Sequence, residues 1–276
     1  MATDSSPAAI ITLTTDFGLS DPYVAAMKGV MLGINPRALL IDVTHDVRPQ
    51  QILQAAFLTQ AAWPHFPDGA IHLAVVDPGV GTGRRAVALE TPRGCFLGPD
   101  NGVLSAALPD ELRPARTPAP TVVPPGYRAY AITDPRYMLR PVSATFHGRD
   151  LFAPAAAHLS LGVPIGDLGE RLDAITALPP LRAQRAPDGA LHGRVLHIDR
   201  FGNAITDIRA DDLPAQEFVV EVAGRRVPGL VRTYDEATVL SALVGSSGYL
   251  EIALRSGHAA RELGVGIGDA AVLRPA

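Results

Sequence analysis

The sequence predicts an α/β fold in two domains. An N-terminal layered α/β domain on a mainly parallel sheet spans residues 1–174. A linker follows at 175–190, then a smaller, mostly antiparallel β domain at 191–276. Three observations predict this. Apolar β-like runs alternate with helical stretches through the first half, the pattern of strand–helix units that assembles parallel sheets. Beyond residue 190 the runs are short and separated by turn residues, as in antiparallel sheets. The length, 276 residues, suits one large domain or two smaller ones at ~100–200 residues each, and 47% hydrophobic residues can furnish a sizeable core.

In chain order, Ile10–Thr15 reads as a strand ending at Asp16-Phe17-Gly18. A helix follows from Pro22, a residue suited to a first helical turn, through Met31. Ala38–Val43 is a second strand, Gln50–Ala62 a second helix and Ile71–Val76 a third strand. Ligands in such sheets sit beyond the carboxyl ends of strands, where Asp16, the Asp42–His45 stretch and Asp77 all fall. The Pro-rich run Arg113–Pro125 is aperiodic and is expected to be an irregular surface loop. An alanine-rich helix is expected from Pro154 to Leu161, and the segment after Ile175, with Pro179-Pro180, as the linker. Short strands are expected at Gly193–Ile198, Glu217–Val222, Val239–Leu243, Gly248–Ala253 and Ala270–Leu273.

Composition narrows the function. With 24 Lys+Arg against 28 Asp+Glu, the net charge is −4, and no basic block offers an electrostatic footprint for nucleic acid. Cys95 is the single cysteine, which excludes an internal disulfide framework and a thiolate-rich metal site and fits a reducing, cytoplasmic location. Lys28 is the single lysine, so no Gly-Lys-Ser/Thr phosphate loop exists. Met1–Ala9 has neither a cationic start nor a long apolar stretch, so no signal peptide is expected. No run of ~18 apolar residues suggests a membrane-spanning helix.

The densest motif is Asp77-Pro-Gly-Val-Gly-Thr-Gly-Arg84. Its glycines superficially match a nucleotide-binding loop. Such a loop should open a helix whose N-terminus holds phosphate, whereas Arg85 leads here into the strand pattern Ala86–Glu90. The glycines are better read as shaping a tight loop that aims Asp77 and Arg84 at one point. An ion pair on a surface β-hairpin is the bland alternative. Thr145-Phe-His147-Gly-Arg-Asp150 places a histidine just before a helix, with Arg149 and Asp150 able to pair locally. No metal is expected, because none of the eight histidines forms a His-x3-His pair or lies near the cysteine. Asp100-Asn-Gly102, Asp199-Arg-Phe-Gly-Asn203 and Ser246-Ser-Gly-Tyr249 each read as ordinary turns on their own, with lining a pocket as the alternative for the first.

Together the motifs are far more specific. Thr14–Gly18, Asp77–Gly81, Gly98–Gly102, Thr145–Asp150, Phe201–Asn203 and Ser246–Glu251 occur in the order of one family, and the match runs from about Ile10 to Leu273. The chain resembles the S-adenosyl-L-methionine hydroxide adenosyltransferases, relatives of the fluorinase and chlorinase enzymes. The resemblance implies cleavage of S-adenosylmethionine by water at ribose C5′, giving adenosine and L-methionine with no cofactor. It implies Asp77, Arg84 and His147 as the catalytic set and Asp16 as the ribose ligand. By the same resemblance Asp21 and Asp199 receive the methionine ammonium with Ser246 nearby, and Phe201, Asn203 and Tyr234 contact adenine. It also implies a homotrimer, with each site between the first domain of one subunit and the second domain of its neighbour.

Three other functions compete: a halogenase of the same fold, a non-catalytic nucleoside-binding protein and a nicotinamide dehydrogenase. The last lacks the helix after its glycine loop. The full Asp, Arg and His set favours hydrolysis over the first two.

Overall fold

The computed structural model of the protein describes residues 9–227 and 229–275. Met1–Ala8, most of the stretch read above for a targeting signal, lies outside the described residues. The chain divides into two compact units at Pro180/Leu181, inside the stretch expected as a linker.

In the first unit, β1 (Ile10–Thr15), α1 (Tyr23–Ile34), β2 (Leu39–Thr44), α2 (Ile52–Ala62) and β3 (Ala70–Val75) alternate as expected. They are followed by β4 (Ala86–Thr91), β5 (Gly94–Pro99), β6 (Ala119–Val122), β7 (Arg128–Ala131), α3 (Ala153–Ser160), β8 (Arg171–Leu172) and β9 (Ala174–Ala177). The main sheet has the order β2-β1-β3-β5-β4-β7-β8. Its β2–β1, β1–β3 and β3–β5 pairings are parallel, whereas β5–β4, β4–β7 and β7–β8 are antiparallel. The sheet is therefore mixed rather than mainly parallel. The cause is local: β4 and β5 are joined by Pro92-Arg93, a connection that only antiparallel neighbours permit.

Strand β3 shows how the layers form. Ile71, Leu73 and Val75 face one core with Met27 and Met31 of α1 and the alanines of α3. Ala74 and the following Val76 face another with Ala55 of α2 and Val103. Successive strand residues point to opposite faces, so helices cover both sides. From β1 the chain passes by α1 to β2 on one side, then by α2 to β3 on the other. The cleft between β1 and β3 is thus the topological switch point, the usual ligand position in open α/β sheets.

Two segments differ from expectation. Arg113–Pro125 contains β6, which pairs antiparallel with β9, although Pro120 and exposed Val122 give it no strand-like alternation. The stretch 175–190 is shared between the units: β9 belongs to the first, and β10 (Gln184–Arg185) pairs with β11 (Leu191–Ile198) in the second. The second unit continues with β12 (Ala204–Arg209), β13 (Phe218–Val222), β14 (Arg225–Val227), β15 (Ser241–Val244), β16 (Tyr249–Ala253), α4 (Ala259–Leu263) and β17 (Ala270–Pro275). Its antiparallel sheet runs β14-β13-β17-β11-β12-β16-β15. Bridging of Leu230 with Ala242 of β15 brings the two edges together into a near-barrel.

Candidate active site

Asp16 follows β1 and Asp77 follows β3, so the two carboxylates flank the switch point. A cavity of about 600 Å³ opens there, walled by Asp16, Phe17, Tyr23, Gln50, Asp77 and His147 among others. The loop from Asp77 to Arg84 is not a hairpin, because β3 and β4 each pair with β5 and not with one another. It curls through two turns, Val80 N–H to the Asp77 carbonyl (3.2 Å) and Thr82 N–H to the Gly79 carbonyl (3.1 Å). A Cβ at Gly81 would stand 2.4 Å from the Ala144 carbonyl oxygen, and this glycine has a φ of +76°. The loop therefore seats against the 144 segment only with glycine at that point.

The curl returns Arg84 to Asp77. Arg84 Nε donates to Asp77 Oδ1 and Oδ2 at 3.0 and 2.9 Å, and Nη2 also donates to Oδ2. The pair is enclosed, with side chains 11% and 5% exposed, so it is no surface ion pair. Burying such a pair is a poor source of stability, which directs attention to its chemistry. The guanidinium lies over the Phe152 ring at 5.5 Å, and its Nη2 reaches Nδ1 of His147 at 2.6 Å.

His147 is placed by the chain that follows it. Gly148–Phe152 is a π-helical turn leading into α3, a geometry that recurs at functional sites. Buried Asp150 anchors it, accepting from Arg149 Nε (2.6 Å), Arg149 Nη2 (3.0 Å) and Ser143 N–H (2.8 Å). A guanidinium carries donors alone, so Nδ1 of His147 accepts and the ring proton sits on Nε2. Burial, assisted by the Arg84 charge, holds this imidazole below the ordinary histidine value, against the opposing pull of Asp77 and Asp150. At neutral pH the ring is neutral.

Asp16 Oδ2 accepts from the Gln50 N–H at 2.8 Å. Burial raises its carboxyl above the usual range, and Asp77 adds to the rise while the backbone donors oppose it. The Asp42–His45 stretch forms a separate network. Lys28 donates to Asp42 (2.6 Å), Asp42 lies 3.0 Å from His45 Nε2, and His45 Nδ1 meets Thr15 Oγ1 at 2.8 Å. Asp21 is exposed in the turn before α1 and is not part of the cavity wall. Asp100 and Asn101 are structural: Asp100 pairs with Arg85 and holds the Thr176 N–H, and Asn101 caps the Val76 carbonyl.

The second unit brings together Asp199, Asn203 and Phe201 at the β11–β12 turn. Asp199 accepts from the N–H groups of Phe201 (3.0 Å) and Asn203 (2.9 Å) and from Asn203 Nδ2 (2.9 Å). Phe201 stands 78% exposed at the turn's tip, whereas Asn203 is buried. Ser246 is exposed in the β15–β16 turn. Tyr234 donates its hydroxyl to Glu251 at 2.8 Å and is pushed up to about 12 by burial and that carboxylate. Glu251 itself is buried and raised by burial. Sequence reasoning passed over Glu251 and Gln50. A carboxylate inside the otherwise apolar run Tyr249-Leu-Glu-Ile-Ala253 was the available signal for the first. Among the described residues, no group of three or more His, Cys, Asp or Glu is arranged to hold a metal ion.

Residues 11–169 match the model of the SAM hydroxide adenosyltransferase N-terminal domain, and residues 193–272 that of its C-terminal domain. The chain belongs to the SAM hydroxide adenosyltransferase family. Within reach of this family it is similar to the (R)-S-adenosyl-L-methionine hydrolase of Thermus thermophilus, 44% identical over 262 residues covering 91% of this chain and 94% of that one. The hydrolase of the same name from Salinispora arenicola is 40% identical, covering 94% and 95%. The fluorinase of Nocardia brasiliensis is more distant, 28% identical over 77% of this chain and 75% of that one. Among solved structures, an uncharacterized conserved protein from Thermotoga maritima superposes with a TM-score of 0.83 at 32% identity, covering 95% and 99% of the two chains.

Proposed function

We propose that the protein hydrolyses S-adenosyl-L-methionine at ribose C5′, giving adenosine and L-methionine. The observation that carries this reading is that Asp77 and His147, which line the same cavity as Asp16, are both held by the enclosed Arg84 guanidinium behind them. Hydrolase relatives at 34–44% identity support it.

The chemistry follows from charge. Hydroxide attacks a carbon bearing a sulfonium; the C5′–S electron pair passes to sulfur, and both charges vanish. A dry pocket favours a step whose transition state is less polar than its reactants. The difficulty is forming hydroxide at neutral pH, and the reaction as proposed uses no cofactor for it. Arg84, permanently charged, favours the anionic form of a bound water. Asp77 fixes the guanidinium. Neutral His147 takes or relays the water's proton. Its acceptor nitrogen is the atom Arg84 touches, so proton uptake and the guanidinium contact compete at Nδ1.

Substrate roles extend the same reading. Asp16 accepts from the ribose hydroxyls, and Asp21 and Asp199 supply negative charge for the methionine ammonium with Ser246 beside them. Phe201, Asn203 and Tyr234 contact adenine, the exposed Phe201 ring offering a face for stacking. We place the enzyme in the cytoplasm as a homotrimer, the first unit of one subunit and the second unit of its neighbour sharing each substrate. No described helix is long and apolar enough to cross a membrane.

Incubation with S-adenosylmethionine, with and without chloride, followed by identification of the nucleoside, tests the function. Adenosine in both arms is expected. A chloride-dependent 5′-chloro nucleoside would transfer the protein to the halogenase reading, and binding without turnover to the nucleoside-binding one.

A further inference from the structure

Among the described residues, Gln50, Ala223 and Ser256 are the non-glycine residues with positive φ, and Gln50, at +68°, is the one lining the cavity. A residue with a side chain enters this region at a cost, and such strain tends to persist where the surroundings impose it for a purpose. The Gln50 side chain is exposed, so packing of that side chain does not account for the conformation. The main chain around it is tightly laced. His45 O accepts from the Gly18 N–H (2.8 Å), the Val47 N–H reaches Thr15 O (3.4 Å), and buried Gln54 Oε1 accepts from the Arg48 N–H (2.9 Å). The Gln51 and Ile52 N–H groups close turns onto Arg48 O and Gln50 O, both at 3.0 Å. What the left-handed residue delivers is one bond, its N–H to Asp16 Oδ2 at 2.8 Å.

We propose that Gln50 is a positioning residue whose main-chain N–H, turned inward by left-handed backbone, fixes the Asp16 carboxylate and leaves Oδ1 for the ribose hydroxyls. The proposal rests on Asp16 as the ribose ligand. The same bond has an electrostatic use. The ionisable groups sharing the cavity with Asp16 are Tyr23, Asp77, His147 and Arg149, with Arg84 behind Asp77 and the Lys28–Asp42–His45 network beyond Thr15. Burial and Asp77 both push the Asp16 carboxyl up, and the Gln50 N–H is the largest influence holding it down. Losing that donor protonates Asp16 at a higher pH, and a protonated carboxyl accepts poorly from hydroxyls.

The test compares Gln50→Gly, Gln50→Ala and Gln50→Val, which keep the N–H but tolerate positive φ progressively less. KM for S-adenosylmethionine should rise in the order Gly, Ala, Val, by about tenfold for Val, as for loss of a hydrogen bond to a charged group. kcat should change far less, and the acid limb of kcat/KM should move to higher pH in the same order. Carboxyl-carbon NMR titration of Asp16, assigned with Asp16→Asn, reads the position of that group without turnover and should shift upward in parallel. If Val does not fold, the Gly and Ala pair carries the same comparison. An Asp16 carboxyl titrating alike in the folded variants, or Gly raising KM as much as Ala or Val, would overturn the proposal. Absence of turnover by the unsubstituted enzyme would instead sink the hydrolase reading and leave the titration to decide the role of Gln50.

Discussion

Arg84 is the residue on which the site turns, because one guanidinium meets a carboxylate, an imidazole nitrogen and an aromatic face. Its proposed work is on the nucleophile rather than on substrate binding. Arg84→Ala should therefore lower kcat by about 10²–10³-fold, the usual effect of losing one preorganised charge-stabilising donor, with a smaller change in substrate affinity. An unchanged kcat would remove Arg84 from the mechanism. The neighbouring imidazole carries a pH signature. Burial and Arg84 lower His147, so its neutral, proton-accepting form persists below the ordinary histidine value near 6.5. The acid limb attributable to His147 should lie below pH 6.5, activity falling as the ring charges. In Arg84→Ala the residual activity should show that limb at higher pH, since Asp77 and Asp150 then pull the ring upward unopposed by the guanidinium. Pre-steady-state rates over pH 4.5–8 would read both. A limb that stays in place would disconnect the two residues.

Among elements, the first three strands are the legible ones, from the edge strand β2 inward through β1 to β3. Each is an apolar-rich run bounded by turn residues, interrupted by threonines in β1, by Asp42 in β2 and by His72 in β3, and α1 and α2 fill the intervals between them. β5 was missed because glycines and a proline punctuate Gly94-Cys-Phe-Leu-Gly-Pro99, and β12 because the turn signals of Asp199–Asn203 mask its start. The site divides in the same way. The glycine-spaced return of Arg84 to Asp77 is local and readable, whereas the meeting of Arg84 with His147, 63 residues later, is a tertiary fact that only the family's motif order foreshadowed. Positive φ at Gln50 has no sequence signature at all. β3 also holds the clearest consequence of burial for stability. His72 is buried among Trp63, Phe66 and Phe96, with Nδ1 2.9 Å from Thr12 Oγ1, and burial lowers it to about 4. Between about pH 6.5 and 4 the unfolded chain takes a proton that the folded chain refuses. The stabilisation is thus present above pH 6.5 and lost as pH falls toward 4, about 3 kcal/mol in all. Urea unfolding at pH 7 and pH 4.5 should show this loss. His72→Gln, less stable at pH 7, should show a flatter dependence on pH, and an equal slope in both proteins would assign the acid sensitivity elsewhere.

At the scale of the whole molecule, the proposed substrate contacts fall into two sets on two compact units. Asp16, Asp77, Arg84 and His147 belong to the first, and Asp199, Phe201, Asn203, Tyr234 and Ser246 to the second. A ligand that uses both must bridge units, either within one subunit or between neighbours. A head-to-tail contact between first and second units repeats without filament growth when it closes into a ring, and three subunits form such a ring in the assembly proposed here. Light scattering should give a particle of three 29.0 kDa chains, and an active monomer would exclude sharing between subunits. Complementation is the sharper measurement. His147→Ala damages the first unit, and Asn203→Ala, whose side chain ties the β11–β12 turn to Asp199, damages the second. Each homotrimer should be nearly inactive. After subunit exchange, a site that joins the intact first unit of an Asn203→Ala chain to the intact second unit of a His147→Ala chain is whole again. Every mixed three-membered ring contains one such junction, so random mixing at equal amounts should restore about a quarter of wild-type activity, the probability that two adjacent chains present intact halves to each other. A mixture that exchanges subunits, shown by mass-tagged chains, yet stays inactive would confine each site to a single subunit.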